Sequence, residues 1–357
     1  MAHKHNFGAG PCILPQEVFQ EASQAVLDFN GLSILEISHR SPEFISVMNE
    51  AIALVKESLK VPEGYSVLFL QGGASLAFLI SAMNMSGPSK KAGYINTGVW
   101  ASKAMKEGKN ANLDILELAS SSDQNFTYIP KNYTIPSDID FVHFTSNNTI
   151  YGTQFKSFPQ TDKPLVCDMS SDIFSRTIHV ADFDLIYAGA QKNLGPAGAT
   201  LVIVKDAIFG KSTYGTIPTY LNLETHAKKE SMFNTPPVFS IYVSMLNLRY
   251  LVKNGGVEAM EKRNQAKADL LYTEIDSNPL FRGTTAKEDR SNMNATFVLN
   301  DESHTEAFNK AWTAAGIVGL KGHRDVGGYR ASMYNALEIE SVQVLVDIMK
   351  KFASENV

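Results

Sequence analysis

Lys192 lies in the stretch Asp184–Thr200, DLIYAGAQKNLGPAGAT. An apolar run ends there in Ala190-Gln191-Lys192-Asn193, and a loop with Gly195, Pro196 and Gly198 follows. A lysine at a strand end, among small residues, is placed for close approach by a flat ligand. Loop lysines are ordinarily solvated, so this one gains meaning only from a partner. In LVCDMSSD, 24 positions upstream, Asp168 closes the apolar run Leu165–Cys167 and so also sits at a strand end. A lysine that forms a Schiff base and a carboxylate that keeps a pyridinium nitrogen protonated are the two groups pyridoxal phosphate requires. On adjacent strand ends the pair points to that cofactor more strongly than either residue does alone.

Other stretches supply the remaining needs of such a site. In Leu68–Phe78, LFLQGGASLAF, a strand ends in Gly72-Gly73-Ala74-Ser75 and enters an apolar helix. Backbone N–H groups at a helix start cradle phosphate. No Gly-Lys-Ser/Thr follows, so this is not a P-loop, and a plain strand–helix turn would use the same residues. Trp100, in NTGVWASK, has a face that can stack on a pyridine ring or fill a core. Ser146-Asn147-Asn148-Thr149, after FVHF, can bond a ring hydroxyl or cap a turn. Two separate His-Arg pairs, His39-Arg40 in ISHRSPEF and His323-Arg324 in GLKGHRDVGGYRASMYN, stand out in an acidic chain, with Lys321 and Arg330 beside the second. The guanidinium fork matches carboxylate and phosphate, although a single arginine is most often surface charge.

These groups need strand ends to carry them. From Ser66 onward, short apolar runs alternate with helical stretches: Val67–Leu70, Ala92–Ile95, Phe141–Phe144, Leu165–Cys167, Leu185–Ala188 and Thr200–Val204. Such runs suit strands buried on both faces of a mostly parallel sheet flanked by helices. Ligands then sit beyond the C-terminal ends of the strands. Ahead of the sheet, the spacing of Val18, Ala22, Ala25, Val26 and Phe29 predicts a helix from Pro15 with Gly31 as its stop. A second helix is expected over Pro42–Leu59. After Pro236-Pro237 a helical pattern runs to about Ile275, broken at Gly255-Gly256. A smaller pattern closes the chain: a strand near Ala295–Leu299, a helix near Thr305–Ala315, a strand near Tyr329–Met333 and a helix near Ser341–Phe352. The expected class is α/β. A large cofactor-binding domain covers residues 1–250, with an N-terminal segment free to pack on the small domain. A small C-terminal α+β domain covers 251–357.

Bulk properties set limits on this reading. The 357 residues, 44% apolar and 19% charged, are enough for two packed domains. A net charge of −5 makes a poor general binder of nucleic acid or anionic membrane, so any anion must be held by a local basic cluster. Two cysteines, Cys12 and Cys167, imply neither a disulfide framework nor metal-type spacing. They fit a reducing compartment, the cytoplasm. The start of the chain lacks a signal peptide's apolar core, and no apolar run approaches the roughly 18 residues that would span a bilayer.

Over nearly its whole length the chain resembles the phosphoserine aminotransferase family, within the class V aminotransferases of fold type I. The resemblance rests on FGAGPCILP, ISHRSPEF, LFLQGGAS, GYINTGVW, HFTSNNTIYGT, CDMSSDIFSR, YAGAQKNLGPAG, MFNTPPVFSIY and KGHRDVGGYRASMYN. It implies Lys192 as the Schiff-base lysine and Asp168 at the pyridinium nitrogen. Trp100 then stacks on the ring and Thr149 bonds its hydroxyl, while Ala74, Ser75 and Gln191 hold the phosphate. Asn234 and Thr235 would reach that phosphate from a partner subunit, which makes a homodimer with shared active sites necessary. Arg330 would clamp the substrate's α-carboxylate, and His39, Arg40, His323 and Arg324 would form the pocket for its distal anion. Relatives often have Gln-Phe where this chain has Ala77-Phe78, a departure that bears on a supporting contact and not on the cofactor site.

The implied activity is a ping-pong amino transfer from L-glutamate to 3-phosphooxypyruvate, giving O-phospho-L-serine and 2-oxoglutarate, a step of serine biosynthesis. Family members also process 3-hydroxy-2-oxo-4-phosphooxybutanoate in vitamin B6 synthesis. One rival within the fold is a cysteine desulfurase, which needs a thiolate on a mobile loop. Cys167 lies in an expected buried strand and Cys12 in the N-terminal Gly-Pro segment, so neither is well placed. The other rival is a non-catalytic binding protein that keeps the cofactor fold, and it is disfavoured because lysine, aspartate, tryptophan and both His-Arg pairs are all present.

Overall fold

An apolar run can form a buried strand only where both faces are covered, and the helices between these runs supply the cover. The computed structural model describes residues 4–324 and 326–356. The chain opens with β1 (His5–Asn6), α1 (Gln16–Leu27) and α2 (Pro42–Leu59). Next come β2 (Tyr65–Leu70), α3 (Gly73–Met85), β3 (Lys91–Asn96), α4 (Val99–Asn110) and β4 (Asp114–Ser120). β5 (Phe141–Thr145) leads into a hairpin of β6 (Asn147–Asn148) and β7 (Thr153–Gln154). After these stand β8 (Leu165–Asp168), β9 (Leu185–Gly189), β10 (Thr200–Lys205), α5 (Leu223–Ala227), α6 (Val238–Lys253) and α7 (Gly256–Ser277). The last elements are β11 (Phe281–Gly283), β12 (Asn294–Leu299), α8 (Thr305–Ala314), β13 (Ile317–Val318), β14 (Tyr329–Ser332) and α9 (Ile339–Asn356).

The large sheet has the order β2-β10-β9-β8-β5-β3-β4. It is parallel except for β10, which runs against both of its neighbours. All six apolar runs are strands of this sheet, and β5, β8 and β9 are buried at every residue. β4 adds a strand the apolar runs did not announce. Its sequence DILELAS is only half-buried at the sheet edge, where a continuous apolar run is not needed. One face of the sheet packs against α1, α2 and α6 through residues such as Phe44, Val55, Ile241 and Leu248. The other packs against α3 and α4 through Phe78, Ala104, Tyr187 and Val202.

α2 spans the expected residues, with the Ser41 hydroxyl accepting the Phe44 N–H at its start. α1 differs at both ends. Pro15, with ψ 143°, is its cap and not its first helical residue, and the helix stops at Leu27, ahead of Gly31. Asp28 accepts the Gly31 N–H at 2.7 Å, so that glycine serves a separate turn. Gly255 and Gly256, at φ +93° and +67°, break α6 from α7 where expected.

The small antiparallel sheet has the order β11-β12-β14. Ala295, Phe297, Tyr329 and Ala331 join Phe308, Leu345 and Met349 in a second core. Asn294, Thr296, Arg330 and Ser332 alternate with them and occupy the opposite face. β1 pairs in parallel with β13, and Phe7 enters this core. α7 serves both cores, with Val257 and Met260 in the larger and Ala268, Leu271 and Ile275 in the smaller. From α7, Lys267 Nζ donates to the carbonyls of Met333, Tyr334 and Leu337 at 3.0, 2.8 and 3.0 Å, which ties the helix to the turn after β14. No helix among the described residues is long and apolar enough to cross a membrane.

The Lys192 loop is pressed onto α6. A methyl group on Gly195 would meet Ser244 Oγ and come within 3.1 Å of Ser244 Cα. Gly195→Ala is therefore expected to cost about 1–3 kcal/mol, as overpacking does. The measurement is the urea midpoint at unchanged m-value, and an unmoved midpoint would show the loop to be loosely seated.

Candidate active site

Parallel strands bring their C-terminal ends to one edge, and the chemistry gathers there. Asp168 is the last residue of β8, Lys192 lies three residues beyond β9, and α3 starts three residues beyond β2. A cavity of about 310 Å3 opens at this edge. It is lined by Ala74, Ser75, Trp100, Thr149, Asp168, Gln191, Lys192, His323 and Arg330, all of them singled out from the sequence.

Lys192 Nζ donates to Thr149 Oγ1 at 2.8 Å. Burial pulls its pKa from 10.5 down to about 8; Asp168 opposes the shift and Arg330 adds to it. The loop that carries it is a tight turn in which the Lys192 and Gly195 N–H groups both donate to the Ala190 carbonyl at 2.7 Å. The N-terminal segment clamps the turn from outside, with Cys12 N–H donating to the Gln191 carbonyl and the Cys12 thiol to that of Lys192. Gly10, at φ +138°, passes so near that a Cβ there would touch Lys192 Cγ at 3.4 Å.

Asp168 is 4% exposed, and one oxygen accepts the Ser170 N–H at 2.9 Å. Burial raises its pKa, so the ionised form would gain from a cation brought to it. Behind it Asp172 takes hydrogen bonds from Ser146 and from Arg176 Nη2, which fastens the turn after β8.

At the start of α3, Gly72 caps the helix with φ +93°. The N–H groups of Gly73, Ala74 and Ser75 precede the first intrahelical bond, from Leu76 to Gly72, and so lie open at the cavity. That is a ready-made seat for a phosphate. Gly189 makes room for Gln191, whose Oε1 would lie 2.7 Å from a Cβ at that position. Trp100 stands in the first turn of α4 with its ring centroid 5.8 Å from Lys192 Nζ, and its indole N–H is buried without an acceptor. Arg330, on β14, donates from Nη1 to the Thr149 carbonyl at 3.3 Å, and its Nε is likewise buried without an acceptor.

Five candidates lie elsewhere. Arg324 follows His323 but is exposed and does not line the cavity. His39 is 6% exposed, with Nε2 unpartnered, just before α2. Arg40 is exposed beside it. Asn234 is half-buried and Thr235 exposed, the Thr235 carbonyl accepting from Gln71. Asn147, from the Ser146–Thr149 stretch, lines the cavity as well, and Ala9, Gly10, Thr145, Ile150, Ser170 and Ser171 line it without having been proposed for it. Gly8, Gly10 and Pro11 have the residue types of a turn, which do not say which loop the turn will meet. Neither cysteine makes a nucleophile: burial raises the Cys12 thiol to about 12 and the Cys167 thiol well above its usual value.

Comparison with known proteins bears on this geometry. The family described as aminotransferase class-V matches residues 4–345. A phosphoserine aminotransferase of Flavobacterium psychrophilum is 61% identical over 99% of each chain. One from Bacteroides thetaiotaomicron is 57% identical over 98% of each. The structure of the phosphoserine aminotransferase from Bacillus circulans subsp. alkalophilus superposes with a TM-score of 0.96 at 43% identity, covering 100% of both chains. That of the pyridoxal-phosphate-bound phosphoserine aminotransferase from Trichomonas vaginalis gives 0.93 at 33% identity, covering 98% of this chain and 100% of the other.

The lowered Lys192 pKa has a consequence for stability. Below about pH 8 the amine is charged in both folded and unfolded protein, and the folded state carries the full burial cost. Between about 8 and 10.5 the unfolded chain binds more protons, so stability rises with pH. Cofactor-free Lys192→Met is expected to be more stable than wild type near neutral pH by on the order of 1–3 kcal/mol. The gap should close toward pH 10.5. Urea unfolding of both proteins across that range is the measurement, and a gap independent of pH would contradict the assigned titration.

Proposed function

The chain belongs to the class-V aminotransferases and, within them, to the phosphoserine aminotransferases, and from that premise we infer how the cavity around Lys192 works. It is a pyridoxal-phosphate-dependent enzyme that moves an amino group from L-glutamate to 3-phosphooxypyruvate, giving 2-oxoglutarate and O-phospho-L-serine, a step of serine biosynthesis. The observation that carries the assignment of roles is a single one. Lys192 Nζ, held on Thr149 with its pKa lowered, shares a cavity with buried Asp168 and the open start of α3.

The residues present fit the cofactor. The free N–H groups of Gly73, Ala74 and Ser75, with Gln191, suit its phosphate. The Trp100 face suits its ring, Thr149 the ring hydroxyl and Asp168 the protonated ring nitrogen. When bound, pyridoxal phosphate supplies the electron sink and carries the amino group between the two half-reactions. The chain supplies the rest. With a pKa of about 8, Lys192 has an appreciable neutral fraction near neutral pH and can take the proton from the substrate Cα. Thr149 Oγ1 accepts from Nζ and so points it. Arg330, its Nε unsatisfied, is assigned to the α-carboxylate that both substrates carry. His39, Arg40, His323 and Arg324 are assigned to the distal anion, since guanidinium and imidazole N–H groups donate to a γ-carboxylate and to a phosphate alike. The same logic admits 3-hydroxy-2-oxo-4-phosphooxybutanoate.

His39, Arg40, Asn234 and Thr235 stand away from the cavity of their own chain. In our reading they complete the cavity of a second copy, in a homodimer with shared sites. Leu27, Leu32 and Leu35, 78%, 56% and 62% exposed close to His39 in sequence, offer apolar surface for that contact. The reading also keeps the division at residues 1–250 and 251–357, with β1 attached to the smaller part, and places the enzyme in the cytoplasm, where thiols stay reduced.

Two measurements test this. Protein reconstituted with pyridoxal phosphate should lose its visible cofactor band on addition of L-glutamate and regain it with 3-phosphooxypyruvate, and Lys192→Ala should do neither. A band indifferent to glutamate would overturn the donor assignment. For the shared site, Lys192→Ala and Arg40→Ala subunits, each nearly inactive, should be refolded together. Random pairing gives one intact site in every mixed dimer, so about one quarter of wild-type activity should return. No return would place Arg40 in the site of its own chain, and an Arg40→Ala protein that keeps its activity by itself would place Arg40 outside the site.

A further inference from the structure

The small sheet is covered on both sides, and one of the covered faces is polar. Asn294, Thr296 and Ser332 are 0%, 4% and 1% exposed, on the side of the sheet that carries Arg330. Burying such side chains is costly unless each polar atom is paired, and here they are paired across to the loop that carries Thr149. Asn294 Oδ1 accepts from Asn147 Nδ2 at 2.8 Å, and Asn294 Nδ2 donates to Ser332 Oγ at 3.0 Å and Tyr334 OH at 3.3 Å. Asn147 also donates to Ser171 Oγ and accepts from Ser291 Oγ, while Thr296 Oγ1 donates to the Tyr151 carbonyl. The approach is close enough that Gly152, at φ +78°, has no space for a side chain: a Cβ would lie 2.6 Å from Thr296 Oγ1 and 2.8 Å from the Asn294 carbonyl.

Arg330 itself is held weakly. Its Nη1 donates to the Thr149 carbonyl at a long 3.3 Å, and its Nε has no acceptor among the described residues. Its position relative to Thr149 and Lys192 is therefore set by where β14 lies. Asn294 faces Ser332 in the register of β12 and β14, two residues from Arg330 on the same face. We propose that Asn294 is a positioning residue for the substrate carboxylate: held by Asn147 on one side and holding Ser332 on the other, it fixes Arg330 opposite the Thr149 loop. The amide offers an acceptor to Asn147 and two donors, to Ser332 and Tyr334, where a hydroxyl would have a single donor. The proposal rests on the reading of Arg330 as the α-carboxylate clamp.

The test uses the cofactor-reconstituted enzyme and the variants Asn294→Ala and Asn294→Ser, the second as the milder change should the first fold poorly. Both substrates share the α-carboxylate, so KM should rise for L-glutamate and 3-phosphooxypyruvate by a common factor of about ten, with kcat within about twofold. The visible band of the bound cofactor should be unchanged. In an Arg330→Ala background, either Asn294 change should cause no further loss of kcat/KM, as expected when one residue acts through the other. Losses that add in that background, a rise in only one KM, or a fall in kcat at constant KM would each overturn the positioning role alone. If Arg330→Ala itself left both KM values unchanged, the carboxylate assignment would fall, and this inference with it.

Discussion

On the roles proposed for Lys192 and Asp168, an amine that has to lose its charge and a carboxylate that has to keep it must face one cavity without forming an ion pair. The fold meets this constraint by placing them at the ends of neighbouring parallel strands, β8 and β9, and giving each a different partner. Asp168 accepts from the Ser170 backbone, and Lys192 donates to Thr149 Oγ1. Asp168 still draws Lys192 toward the charged form, but burial outweighs it and the pKa falls to about 8. A direct salt bridge would hold the lysine protonated and useless as a base. The sheet order, the cover on both of its faces and the tight turn after β9 all serve to hold these two side chains apart at the same depth.

Close packing of small residues does the holding. Three segments meet on the Lys192 turn: the N-terminal segment through Gly10 and Cys12, α6 through Ser244 against Gly195, and the turn after β8 through Ser170, whose hydroxyl accepts the Gly189 N–H. A side chain on Gly195 would push Ser244 away, and Gly10 holds a φ of +138° that residues with a side chain rarely adopt. The N-terminal segment is also part of the small core, through Phe7 and the pairing of β1 with β13. The lysine turn is thus fastened to both cores, which preorganises the site before any ligand arrives.

Much of this was legible in the sequence, and the reason is that the large sheet is buried. Each continuous apolar run, such as Leu165–Cys167, can be satisfied only inside a covered sheet, and the residue that ends it must lie at the sheet's edge. That places Asp168, Lys192 and the start of α3 together with no long-range information. Elements whose burial is partial escaped notice. β4 is an edge strand with mixed polarity, and β11 is three residues long. Pro15 and Gly31 carry correct local chemistry but one position or one turn away from the helix ends, because neighbouring hydrogen bonds, such as that of Asp28 with Gly31, set the boundary. Asn147 read as a ring-hydroxyl partner or a turn cap, and Asn294 carried no signal beside the strand expected from Ala295, since the pairing of the two spans 147 residues.

The remaining matter is why an acidic chain should bind anions well. Net charge acts at long range and is screened within about 8–10 Å at physiological salt, so it says little about a recessed cavity. Inside, the balance is reversed. Arg330, His323 and Lys192 line the space against one carboxylate, Asp168. Asp168 is the group assigned to a cationic ring nitrogen, which leaves the Arg330 guanidinium to the substrate. Arg330 has a double effect in this arrangement, since it lowers the Lys192 pKa while awaiting a carboxylate. A substrate carboxylate on Arg330 would offset that repulsion and raise the lysine's basicity as the substrate arrives. On the roles proposed for Arg330 and Lys192, one cation couples occupancy of the site to the strength of its base.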